Sequence, residues 1–235
     1  MPNQDDADIL YDLTDRNVYV PPEIWAQAWY LGEARSKLNS CYREWYDDRS
    51  ESQHKLSDFM GAAAELLIYR LLKTNGLSAE GCRYIRENIF NPKLNNGGHD
   101  VDLVLAGRGY DIKSFDCNPN KRYFAVSKKT HDNLRGHCDG YLCVMFPPRS
   151  KQALIMNIHK YRWVDDFEEK DFGNPHRMAL VANIDDFCIS NRGDTWRPGR
   201  DSRNLYPRGW INELINIPDN RQSFIREYPS LMGWV

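Results

Sequence analysis

The chain has 235 residues, 41% hydrophobic and 27% charged, the composition of a globular domain large enough to bury a sizeable core. A formal net charge of −2 excludes a polybasic binder, and no run of about 18 apolar residues is present to span a membrane. The acidic start MPNQDDADILYDLTD lacks the basic and apolar regions of a signal peptide, so a cytoplasmic protein with no membrane partner is expected.

The charge is uneven along the chain. The first sixteen residues hold five Asp and one Arg, whereas residues 192–208, RGDTWRPGRDSRNLYPR, hold five Arg and two Asp. The six cysteines form no CxxC pair, which suits reduced thiols better than a disulfide framework. His131, His137, Cys138 and Cys143 match no common zinc module.

After the acidic segment, Pro22 suits the first turn of a helix that runs from Glu23 to about Asp48. Ile24, Ala28, Leu31, Leu38, Tyr42 and Trp45 recur at threes and fours, interrupted by Arg35. This helix packs on the core, or faces DNA or a second subunit. RSESQHK reads as a polar break. SDFMGAAAELLIYRLLKTNG then reads as a central helix, capped by Ser57 and closed by Asn75-Gly76. Glu65 is the exception on its apolar surface, and Gly61, one turn earlier, leaves space beside the carboxylate. A plainer role for Glu65 is pairing with Arg70 or Lys73.

The segment HDVDLVLAGRGYDIKSF alternates with period two. Val101, Leu103, Leu105, Tyr110 and Ile112 fall on one face; Asp100, Asp102, Val104, Asp111 and Lys113 fall on the other. With Gly107 as first central residue of a two-residue type II′ turn, Ala106 lies opposite Gly109, Val104 opposite Asp111 and Asp102 opposite Lys113. Opposed side chains lie about 5 Å apart at Cβ, so Asp102, Asp111 and Lys113 converge on one patch. Two such carboxylates are hard oxygen ligands suited to Mg²⁺, and a lysine beside them can steady a water or a phosphate under attack. A surface Asp–Lys pair, worth about 0–1 kcal/mol, is the plainer reading.

Downstream, KRYFAVS reads as a strand, SKKTHDNLRG as a short helix capped by Ser127, and CDGYLCVMF as a buried strand ended by Pro147-Pro148. QALIMNIHKYRWV reads as a strand followed by a turn. The sum is an α/β fold, a mixed central β-sheet flanked by helices, with a helical N-terminal extension.

GAAAE (61–65), HDVDLV (99–104) and YDIKS (110–114) together resemble the PD-(D/E)xK nuclease superfamily, and residues 57 to 146 follow its restriction endonuclease-like core. The resemblance implies Mg²⁺, replaceable by Mn²⁺, on Asp102 and Asp111, on the carbonyl of Ile112, and on Glu65 directly or through water. Lys113 orients the attacking water. No proline precedes Asp102, and Asp100 competes with it for the first position or serves as an accessory ligand. The implied organisation is an N-terminal extension (1–50), a nuclease core (51–165) and an Arg/Trp-rich C-terminal region (166–235).

The implied function is Mg²⁺-dependent hydrolysis of DNA, as a restriction-type or phage–host conflict endonuclease. A Holliday-junction resolvase or repair nuclease is the alternative, and an inactive nucleic-acid-binding protein on the same fold is one of another class; RNA is a further candidate substrate. Phosphate contacts are expected from Lys121, Arg122, Lys128 and Lys129, and from Arg197, Arg200 and Arg203, interleaved with Trp196, Tyr206 and Trp210. The same arginine cluster would also suit a cap or the interface of a homodimer.

Overall fold

The computed structural model describes residues 16–39, 50–74, 101–105, 107–116, 123–146, 152–158, 161–172 and 178–183. Within them, strands β1 (Arg16–Tyr19), β2 (Leu103–Leu105), β3 (Arg108–Asp116), β5 (Gly140–Phe146) and β6 (Gln152–Ile158) form a mixed sheet in the order β1-β6-β5-β3-β2. β3 and β5 run parallel, and the other neighbours are antiparallel. Strands β4 (Tyr123–Ser127), β7 (Glu168–Asp171) and β8 (Met178–Asn183) form a separate antiparallel sheet in the order β4-β8-β7. Helices α1 (Pro22–Asn39), α2 (Glu51–Thr74) and α3 (Lys128–Asn133) complete the described elements, with a 3₁₀ turn at Tyr161–Asp166.

The continuous apolar run of β5 follows from burial on both faces, as in other parallel-paired strands. Leu142, Val144 and Phe146 join Leu103, Tyr110 and Ile112 in a core with α1 and α2. Tyr141, Cys143 and Met145 face a second core with Phe124, Val126, Leu134, Phe167 and Leu180. The α/β class with a mixed sheet therefore holds. Tyr123–Ser127 of KRYFAVS, however, pairs with β8 in the second sheet.

The first helix starts at Pro22, the position its fixed φ favours. Its apolar stripe of Ile24, Trp25, Ala28 and Leu31 packs on α2, with the Trp25 ring 5.6 Å from Phe59 and 5.1 Å from Phe146. The two helices meet closely at Gly32, where a Cβ would stand 2.6 Å from the Phe59 Cα.

The second helix begins at Glu51, not at Ser57, so much of the expected polar break is helical. A capping box explains the earlier start. The Gln53 N–H donates to Ser50 Oγ (3.3 Å), and the Ser50 N–H donates to Gln53 Oε1 (2.8 Å). The third helix starts as expected, with Ser127 Oγ accepting from the Thr130 N–H. No described helix is long and apolar enough to cross a membrane.

The hairpin pairs Leu103 with Tyr110, Val104 with Gly109 and Leu105 with Arg108. Gly107, at φ +75°, is thus the second central residue of the two-residue turn, not the first. Both turn families place a positive φ in the loop, so glycine alone does not choose between them. The expected register is corrected by two residues: Val104 faces Gly109, not Asp111. Because side chains alternate with period two, a shift of two leaves every residue on its assigned face.

Candidate functional site

The site is built where β2 leaves β3. The Asp102 N–H still donates to the Tyr110 carbonyl at 3.0 Å, and the Asp102 side chain then takes over. Its Oδ2 accepts from the Ile112 N–H at 2.8 Å, so a carboxylate occupies the edge of β3. The N–H and C=O of a strand residue point to the same side, which puts the Ile112 carbonyl on this edge as well.

Tyr110 and Ile112 pack toward α1 and α2, so alternation turns Asp111 and Lys113 to the opposite face of the sheet. Lys113 Nζ lies 2.6 Å from Asp111 Oδ2. Asp111 is only 4% exposed, so this oxygen is held out of water against the ammonium. A buried carboxylate is costly unless such a cation compensates it.

Glu65 comes from the helix side. Both of its oxygens are taken by Arg35 of α1, with Nη1 donating to Oε1 at 2.8 Å and Nη2 to Oε2 at 2.5 Å. Neither Arg70 nor Lys73 is its partner: Arg70 lies 3.9 Å from Glu23, and Lys73 sits over the Tyr69 ring. Gly61 does leave open space on this side, since a Cβ there would meet nothing within 4 Å. Arg35 is the site residue that reading the sequence missed. The signal was present as two charges, Arg35 and Glu65, each interrupting the apolar face of its helix.

Electrostatics tie the two ion pairs together through Asp102. Burial, then the charges of Asp111 and Glu65, push its carboxyl well above the usual range, against the opposing pull of Lys113 and the Ile112 N–H. Burial disfavours the Lys113 cation, but the Asp111 and Asp102 carboxylates outweigh it and raise the group to about 12. Burial likewise opposes the Arg35 cation and is outweighed by Glu65, Asp102 and Asp58. Asp102 thus feels both pairs, Arg35–Glu65 and Asp111–Lys113.

The four side chains do not close on a single point. Among the described residues, no three His, Cys, Asp or Glu form a group that could hold a metal ion. The donor chemistry nevertheless fits one hard cation on two carboxylates. Asp111 holds its carboxylate against Lys113, the Asp102 carboxyl lies under the charges of Asp111 and Glu65, and Mg²⁺ needs only one or two protein carboxylates beside water and phosphate.

Of the expected phosphate contacts, Lys128 is engaged by Glu169 of β7, and Lys129 is exposed on α3. Asp100, Lys121, Arg122, Arg197, Arg200 and Arg203 lie outside the described residues. Burial pushes the Cys138 thiol to about 12 and that of Cys143 well up, so neither is poised as a thiolate. His131 is buried, stacked on Tyr161 at 4.0 Å and bonded to Tyr141 Oη and Asp165.

Comparison with known proteins finds no matching family model, curated protein or solved structure.

Proposed function

We propose that the chain is a Mg²⁺-dependent endonuclease of the PD-(D/E)xK type, hydrolysing DNA phosphodiester bonds on a restriction endonuclease-like core. The observation that carries this reading is the Asp102 carboxylate, fixed on the Ile112 N–H beside the Asp111–Lys113 pair. Asp102, Asp111 and the Ile112 carbonyl would hold Mg²⁺, with Mn²⁺ as a substitute. When bound, the ion would supply Lewis acidity toward the phosphate and a more acidic water.

The chain's own groups do the rest. Lys113, kept as a cation by the Asp111 and Asp102 carboxylates, donates a hydrogen bond to a water or a phosphate oxygen. Asp111 aims that ammonium, and the Ile112 N–H fixes the Asp102 rotamer. Glu65 accepts from Arg35 at both oxygens and bears on this centre through its charge on Asp102.

Within the nucleases, a restriction-type or phage–host conflict enzyme suits the large segments flanking the core better than a junction resolvase or repair nuclease does. The Arg35–Glu65 pair favours one reading of another class, a nucleic-acid-binding protein on the same fold without catalysis. Incubation with plasmid, branched DNA and RNA, each with Mg²⁺ and with chelator, separates these. The nuclease reading expects metal-dependent cutting of DNA; binding without cutting under any metal would favour the inactive protein.

A further inference from the structure

Arg35 lies outside the Glu65, Asp102, Asp111 and Lys113 constellation, on a helix that packs face to face with α2. Its guanidinium is largely buried and spends two donors on Glu65 in a fork that only arginine makes. The same cation acts on Asp102. With every group ionised, the cluster of Glu65, Asp102, Asp111, Arg35 and Lys113 holds one carboxylate in excess. One divalent cation and one phosphodiester would bring it to neutrality. Without Arg35 the excess would be two carboxylates, with Lys113 the one cation left in the cluster.

We propose that Arg35 is a positioning residue that stands in for a second divalent cation, so that the site takes one ion, on the Asp102–Asp111 side, and none on Glu65. The inference rests on the metal-dependent reading above and adds its stoichiometry. It also accounts for a helix glutamate that sits beside open space at Gly61 yet is fully engaged by a side chain.

The test is a titration of Mn²⁺ into the full chain by calorimetry, with free Mn²⁺ counted by electron paramagnetic resonance. Wild type should bind one ion. Arg35→Gln, which removes the charge, should bind a second and weaker ion, and adding Glu65→Gln to it should return the count to one.

A buried half-pair risks misfolding, so Arg35→Met with Glu65→Leu serves as the second variant. Replacing a whole buried ion pair by apolar groups is often neutral for stability. This variant, read for stoichiometry alone, should still bind one ion. Two ions on wild type, one ion on folded Arg35→Gln, or loss of binding in the Met/Leu variant would each overturn the inference. No Mn²⁺ bound by wild type would instead overturn the metal-dependent reading itself.

Discussion

A carboxylate that accepts a backbone N–H is ordinarily easier to ionise, and Ile112 pulls Asp102 that way. Burial and the charges of Asp111 and Glu65 pull harder in the other direction. The folded-state value therefore lies above the unfolded value of about 3.9, and the neutral carboxyl stabilises the fold below that pH. That contribution is lost as pH rises through the folded value, so the ionised group costs stability near neutrality. Asp102→Asn keeps an acceptor for Ile112 and removes the charge. In chelator it should melt higher than wild type at about pH 7.5, and the advantage should vanish toward about pH 4. Millimolar Mg²⁺ should raise the wild-type melting temperature by linkage and leave the variant's unmoved. A variant less stable than wild type near neutrality would mean that the charge is compensated.

At the scale of elements, two helix glycines in one core should respond in opposite directions. A Cβ at Gly32 meets the Phe59 backbone at 2.6 Å, so Gly32→Ala must part α1 from α2 and should cost about 1–3 kcal/mol. A Cβ at Gly61 meets nothing within 4 Å, so Gly61→Ala should stabilise α2 by about 0.5–1 kcal/mol. Urea midpoints with unchanged slopes would check both. Equal effects would refute the close helix contact.

Helical periodicity made α1 and α2 readable, and alternation made the hairpin faces readable, because each repeat leaves one buried side. The start of α2 escaped because Ser50 and Gln53 sit in a stretch without apolar residues, where a capping box is the only signal. The hairpin register escaped because either central position of a two-residue turn accepts Gly107. The Arg35–Glu65 pair escaped because each charge interrupts its own helix, but nothing local matches it to a partner 30 residues away. The second sheet escaped for a similar reason: β7 is EEKD, exposed throughout, with no alternation to mark it as a strand.

For the whole molecule, a net charge of −2 means that DNA affinity must come from local basic surface. Lys128 is paired with Glu169 and Lys129 is exposed, and the densest run of arginines in the sequence is 192–208. Changing Arg197, Arg200 and Arg203 together to Ala should flatten the dependence of log K on log salt by about two to three units, at about 0.9 per phosphate contact. Metal binding should be unaffected. A variant with altered oligomeric state and unchanged affinity would make the segment an interface instead.

The most direct measurement is plasmid cleavage by wild type and Lys113→Ala, side by side in Mg²⁺ and in chelator. Wild type should cut only with the metal. The variant, folded and still binding DNA, should be slower by about 10²–10³-fold, the usual loss for one preorganised hydrogen-bond donor. Equal rates for the two proteins, or cutting by wild type in chelator, would contradict a metal-dependent centre built on Asp102, Asp111 and Lys113.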